Sequence, residues 1–331
     1  MDSLKGWLPI SIYQRTGEWW VDWCWFGEHA LTRPFFRESV DEALRLPFNQ
    51  AFRRETPLAV LCQWSLPALA PTAFIYHASR CGSTLISQML AQLDDHIVVS
   101  EPPPLDTLLR APLPADLRDA ALRGLLAAYG QCRRGPERAL VIKLDAWNIA
   151  QLPLLRDCFA ETPWLFVYRD PLEIAVSHLR RPGMHMVPGL LGGNGPDDLP
   201  GDLSQEEGIA RRLGQILQQG ADFCRAYNGV PVNYNELPTA MSERLATFFD
   251  LNADQREQAF TAVGQHAKAP HQTFVADSQD KQRSASAELR RWLQSYCEPA
   301  YRELEALRLN HADDPVSAAI RQVPGGGCSP G

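Results

Sequence analysis

From residue 73 onward, short apolar runs alternate with stretches of helical period, and few folds accommodate that alternation. The runs are "AFIYHA" (73–78), "HIVVS" (96–100), "ALVIKL" (139–144), "WLFVY" (164–168) and "VPVNY" (230–234). Between them, "STLISQMLAQL", "DLRDAALRGLLAAYGQCRR", "PLEIAVSHLR" and "EEGIARRLGQILQQGADFCRAY" carry apolar residues at helical spacing. A strand that is apolar at nearly every position needs cover on both faces, and strands separated by helices pair in parallel. The expected class is α/β: a P-loop-type three-layer fold with a mainly parallel central sheet, preceded by an N-terminal hairpin and helical extension. The expected boundaries are 1–70 for that extension, 71–310 for the α/β domain and 311–331 for a C-terminal segment, disordered after Arg321.

The extension is aromatic, with five of the nine tryptophans in the first 25 positions. "PISIYQRTGEWWVDWCWFG" reads as a hairpin turning at "RTGE", with Trp19, Val21, Trp23 and Trp25 on one face. That face either packs on the main domain or walls a substrate pocket. "FRESVDEALRL" and "TPLAVLCQW" read as helices, the second with Thr56 as N-cap and Pro57 at the first helical position. One long Gly- and Pro-rich connection, Arg180 to Ser204, has no regular period and reads as a lid or binding loop.

Composition removes several classes of function. A net charge of −7 argues against nucleic-acid or anionic-membrane binding driven by overall charge. No cationic leader precedes an apolar run, and no stretch reaches the roughly 18 apolar residues of a membrane helix, so a cytoplasmic location is expected. The eight cysteines form no CxxC pair and have no histidine at zinc-ligand spacing, which favours reduced, buried thiols and no metal site.

The chemistry concentrates in "YHASRCGSTLIS", residues 76 to 87. A strand, a tight glycine turn and a helix N-terminus expose backbone N–H groups to an anion, and Ser83 and Thr84 add hydroxyls. A Walker A loop would read GxxxxGK[ST], but no glycine opens this one and Ser83 stands where the lysine belongs. A phosphatase Cys-x5-Arg loop fails too, because Ser87 occupies the arginine position counted from Cys81. The loop does offer Arg80, two residues before Gly82, and Cys81 serves through its backbone.

The order Ser79, Arg80, Cys81, Gly82, Ser83, Thr84 after a strand resembles the 5′-phosphosulfate loop of sulfotransferases that use 3′-phosphoadenosine 5′-phosphosulfate (PAPS). A second motif, "YRDPLEIAVSHL", carries the resemblance further. Asp170 as N-cap, Pro171 and a Glu173 capping box are explained by helix initiation alone. Arg169 and Ser177 are not, and in the resembled family an Arg and a Ser at this spacing bind the 3′-phosphate. "VNYNELP" is similar to a late Tyr-Glu-x-Leu segment of these enzymes through Tyr234 and Leu237, with Asn235 replacing the acid. "HQTFVADSQDKQRSAS" looks like the late loop that closes over the nucleotide, with Lys281 or Arg283 as the cation.

The resemblance, spanning roughly residues 73 to 305, implies sulfuryl transfer from PAPS to a hydroxyl or amine of a small-molecule acceptor, leaving 3′,5′-adenosine bisphosphate and requiring no metal. Arg80 would stabilise charge on the departing phosphate. A general base is needed, and Glu101 and Asp145, both at strand ends, are the candidates, with Glu101 preferred. Each could instead cap the next segment. His77, His178 and His185 rank below them. The competing readings are a P-loop kinase-like phosphotransferase and a non-catalytic bisphosphate-binding module. Neither a nucleic-acid nor a membrane partner is expected, and a homodimer is compatible with everything above.

Overall fold

Two β-prone runs pair as β1 (Trp7–Arg15) and β2 (Glu18–Trp25) because Thr16 and Gly17 both take the left-handed backbone, φ 52° and 86°, that a two-residue hairpin turn requires. A third antiparallel strand, β3 (Arg54–Pro57), lies along β2. Here the structure corrects the sequence reading: Thr56 and Pro57 belong to this strand, and Thr56 Oγ1 accepts a hydrogen bond from Trp23 Nε1 at 2.9 Å instead of capping a helix. Pairing with β2 outweighs the local Thr-Pro signal. The helices of the extension are α1 (Phe36–Ala43), α2 (Pro47–Ala51) and α3 (Leu58–Cys62). This computed structural model describes residues 4–187, 203–260, 265–266, 269–273 and 278–313.

The parallel sheet consists of β4 (Ala73–His77), β5 (His96–Ser100), β6 (Ala139–Lys143), β7 (Trp164–Tyr168) and β8 (Val230–Asn233), in the order β5-β6-β4-β7-β8. Every residue of β4, β5 and β7 is buried. Successive side chains point to opposite faces, so both faces are covered and the fold is three-layered. Ala78, Leu144 and Tyr234 already leave the sheet, and each of those three strands is one residue shorter than its apolar run.

The covering helices follow in order. They are α4 (Ser83–Leu90), α5 (Pro103–Arg110), α6 (Ala115–Tyr129), α7 (Leu152–Cys158), α8 (Pro171–Arg180), α9 (Gln205–Tyr227), α10 (Arg244–Phe248), α11 (Ala253–Phe260), α12 (Ser278–Ser284), α13 (Ala287–Tyr296) and α14 (Glu298–Asp313). From β4 the chain moves out to β5, returns through β6 and crosses to β7 on the other side. This reversal opens a crevice at the C-terminal ends of the strands, where open α/β sheets bind ligands.

The N-terminal sheet is no detached appendage. Leu8, Ile12, Val21 and Trp23 join Ile75 and Val141 in one hydrophobic core. Tyr129 Oη donates to Pro9 O at 3.1 Å, and Gln131 bridges Gly6 N and Trp7 O at 3.0 and 2.9 Å. Cys24, Cys81, Cys158, Cys224 and Cys297 are buried free thiols, whereas Cys62 and Cys132 are only half-buried. No described helix is long and apolar enough to cross a membrane. Residues 188–202 of the long connection, and the tail with Cys328, lie outside the described residues.

Candidate active site

β4 is hydrogen-bonded on both sides, by β6 and β7, so the chain at its end has to turn out of the sheet. It does so through Ser79 (φ 64°), Arg80 (φ 50°) and Gly82 (φ 86°), all left-handed. Non-glycine residues avoid this region, and such strain persists where the surroundings impose it, often at functional sites. One imposing contact is visible: Ser79 N donates to His77 Nδ1 at 3.0 Å. Cys81 Sγ donates to Val167 O at 3.1 Å, anchoring the turn from below. Gly82 must lack a side chain, because a Cβ there would stand 2.5 Å from Tyr234 Cδ2.

α4 starts at Ser83 with no acidic residue in its first turn. Among the described residues, no acceptor takes the N–H groups of Arg80, Gly82, Ser83 or Thr84. The helix dipole adds positive potential at the same point. Arg80 is half-buried, its Nη2 donating to Arg181 O at 3.1 Å. Burial first, and then the Arg181 charge, lowers its proton affinity, yet a guanidinium stays charged at neutral pH.

β5 and β6 deliver the carboxylates. Glu101 also has left-handed backbone (φ 53°), and its N–H donates to Lys143 O at 2.7 Å. Its side chain pairs with Lys143 Nζ, which is fully buried and lies 5.4 Å from the Phe35 ring of the N-terminal extension. His77 Nε2 stands 3.2 Å from Glu101 Oε1. Since His77 Nδ1 accepts from Ser79, the neutral ring carries its proton on Nε2, facing the carboxylate; this tautomer is assigned from the hydrogen bonds. Burial pushes the Glu101 carboxyl up, but Lys143 and His77 outweigh it and hold it well below the usual range.

Asp145 faces Glu101 closely enough for the two carboxyls to interact. Burial, then the charges of Glu101 and Asp106, push it well above the ordinary carboxylate range. The two carboxyls are therefore driven apart, Glu101 toward its ionised form and Asp145 toward its protonated form. The capping alternative fails for both: Pro102 precedes α5, and Asp145 makes no side-chain cap bond to the turn at Ala146–Gln151. Nearby, His185 packs 5.4 Å from Trp147 and 5.3 Å from His178. Burial first, then His77, takes its pKa down to about 3, so it is neutral. His178 is buried, its Nδ1 accepting from Gly183 N at 3.2 Å.

The end of β7 holds Arg169. Asp170 caps α8 as expected, Oδ1 accepting from Leu172 N and Glu173 N at 2.9 and 3.3 Å. Glu173 departs from expectation: it does not close a capping box but pairs with Arg169 one turn back. The Arg169 guanidinium also sits 4.1 Å from the Tyr234 ring centroid. Tyr234 thus touches the loop at Gly82 on one side and Arg169 on the other. Ser177, half-buried, follows Glu173 by four residues on the same face of α8, and Arg169 reaches that face through its pairing with Glu173. In the Tyr234 segment, Glu236 rather than residue 235 supplies the acid, accepting from Asn233 N at 2.9 Å. Lys281 is buried in α12, which packs on α8, and Arg283 is exposed.

Sequence reasoning named the loop, both carboxylates and Arg169, but assigned His77, Tyr234 and Lys143 no part in connecting them. The position of His77 directly before the loop was the available signal. Among the described residues, no group of three His, Cys, Asp or Glu is placed to hold a metal ion.

No protein-family model matches the chain, and no curated protein matches it. Among solved structures, the chain is similar to the sulfotransferase domain from the curacin biosynthetic pathway: 18% identity, TM-score 0.45, covering 69% of this chain and 98% of that one. It is similar to sulfotransferase STF9 from Mycobacterium avium, with 14% identity, TM-score 0.43 and coverage of 71% and 77%. The sulfotransferase domain of the Synechococcus PCC 7002 olefin synthase gives 18% identity, TM-score 0.42 and coverage of 76% and 99%. At these identities and scores, function has to be argued from the residues of the site.

Proposed function

We propose that the protein is a sulfotransferase that takes a sulfuryl group from PAPS and passes it to a hydroxyl or amine of a small molecule. The observation that carries this reading is the junction at the strand ends: loop N–H groups with no acceptor among the described residues and Arg80 on one side, and the carboxyls of Glu101 and Asp145, shifted in opposite directions, on the other. An anion receptor of this kind suits a 5′-phosphate, and the adjacent Arg169, steadied by Glu173 and Tyr234, suits a 3′-phosphate, with Ser177 on the next turns. The donor set therefore fits a nucleotide carrying two separated phosphates. Of the two cations within the segment expected to close over the nucleotide, Lys281 is the buried one, on α12.

When bound, PAPS would supply an electrophilic sulfur and a phosphate leaving group. Glu101 would accept the proton of the attacking hydroxyl, while Asp145, pushed toward its protonated form, would hold Glu101 in place. Ser79 to Thr84 would stabilise the charge arriving on the 5′-phosphate through N–H and hydroxyl donors, with Arg80 alongside. Turnover of labelled PAPS against a broad panel of alcohols, phenols and amines tests the reading. Transfer without added ATP supports it. Turnover that depends on ATP and magnesium would identify a kinase-like phosphotransferase, and bisphosphate binding with no transfer to any acceptor would identify a binding module.

A further inference from the structure

The N-terminal extension carries a second feature, built apart from the strand ends. Trp7 and Trp25, edge to face with ring centroids 5.8 Å apart, wall an open cleft of about 380 Å³ whose lining includes Arg133, with Lys5 and Glu28 also contributing. That volume is in the range of small-molecule sites. The walls are fixed: Trp25 is held through its backbone by Asn49, with N to Oδ1 and Nδ2 to O both at 2.8 Å, and Gly6 gives its ring room, since a Cβ there would come within 2.6 Å of it.

Arg133 is the unusual member. It is only 8% exposed, and its Nη1 donates to Gly27 O and His29 O at 2.9 and 2.8 Å. Those two bonds account for a structural role at the end of β2, but for one nitrogen only. Nε is buried with no acceptor among the described residues, and Nη2 makes no hydrogen bond among them. Arg133 forms no ion pair among the described residues either; the nearby carboxylate, Glu137, pairs with Arg134 Nε at 3.2 Å and accepts from Arg134 N and Gly135 N. Burial pulls Arg133 down to about 10, against the attraction of Glu137. The Phe26 ring 5.8 Å from the guanidinium and the two carbonyls offset part of the cost of burying this cation, and with no ion pair among the described residues an anion would relieve the rest. Trp25 Nε1 also meets no acceptor among the described residues, and Lys5 is exposed at the same cleft. Two cations face one carboxylate there in a chain of net charge −7.

We infer that this cleft is a binding site for an aromatic oxyanion, a carboxylate or sulfate group on a flat ring. The anionic group is received by Arg133, Lys5 and the Trp25 indole N–H, and the ring lies along the two tryptophans. The site is independent of the proposed transfer reaction and of its nucleotide.

The probes are 2-naphthoate and 2-naphthyl sulfate, titrated into the full-length protein by calorimetry and by the indole N–H signals in nitrogen-15 NMR, with neutral 2-naphthalenemethanol as control. The expected result is saturable sub-millimolar binding of both anions, at least tenfold weaker binding of the alcohol, and a shift of the signal that Trp25→Phe deletes. Loss of a charge-assisted contact in Arg133→Gln should weaken binding roughly tenfold or more. If that variant does not fold, Lys5→Glu and Trp25→Phe decide, each expected to weaken binding several-fold without unfolding. Saturating 3′,5′-adenosine bisphosphate should leave the affinity unchanged. Equal binding of the alcohol, indifference to Lys5→Glu and Trp25→Phe, displacement by the bisphosphate, or no saturable binding would overturn the inference.

Discussion

A base in a crowded site has to keep its charge, and Glu101 does so through its neighbours. Lys143 and His77 hold it ionised at the expense of its basicity, while Asp145 beside it is pushed toward its protonated form. Replacing Asp145 by Asn copies its protonated form, so D145N should retain most of the transfer rate near neutral pH. Glu101→Gln should lose roughly 10²- to 10⁴-fold in kcat; the reverse ranking in a steady-state assay would move the base to Asp145. Because Asp145 is raised, its ionisation with rising pH places a second charge beside Glu101 and strengthens the base, so a pH-dependent rise in rate from this source should be present in wild type and absent in D145N. His185 gives a separate acid signature. Its pKa falls from 6.5 unfolded to about 3 folded, so the stability it supports is present above 6.5 and lost as pH falls toward 3. One proton changes stability by up to about 1.4 kcal/mol per pH unit. Denaturant melts at several pH values should show that slope reduced in His185→Phe. At this scale the sequence showed two rival carboxylates, but not that they are partners, because their contact depends on the parallel register of Ser100 with Lys143.

The five strands of the parallel sheet were legible to within one residue because each is a mostly apolar run, which a doubly covered sheet favours. α8 was legible from Asp170-Pro171, whose capping chemistry is local. The Thr56-Pro57 cap was misread because the competing partner, β2, lies some thirty residues away in the chain. A far greater distance in the chain hid the reason for Gly82: its neighbour is Tyr234, brought in by β8. Gly82→Ala would meet both an unfavourable φ and the Tyr234 ring, which Arg169 backs from behind. A loss of roughly 1–3 kcal/mol in unfolding free energy is expected. Tyr234→Ala in the same chain should recover part of it in chemical denaturation, and no recovery would mean the ring is not the obstacle.

Across the whole molecule, two stretches nearly ninety residues apart, at Arg80 and Arg169, meet because β4 and β7 are neighbours in the sheet. Tyr234 from β8 closes the gap between them, and Phe35 of the extension reaches the lysine that holds Glu101. The division of labour implies distinguishable defects. Arg169→Ala should weaken bisphosphate binding by roughly 10- to 100-fold, the worth of a lost charge-assisted contact, whereas Arg80→Ala should mainly lower kcat. The acceptor was not legible at any scale, since no residue of the sequence carries a motif that names one. The central claim is tested most directly by a crystal structure of the protein soaked with 3′,5′-adenosine bisphosphate. The account predicts the 5′-phosphate on the N–H groups of residues 80 to 84 and the 3′-phosphate on Arg169. Bisphosphate bound away from both arginines, or crystals that take up none at saturating concentration, would contradict it.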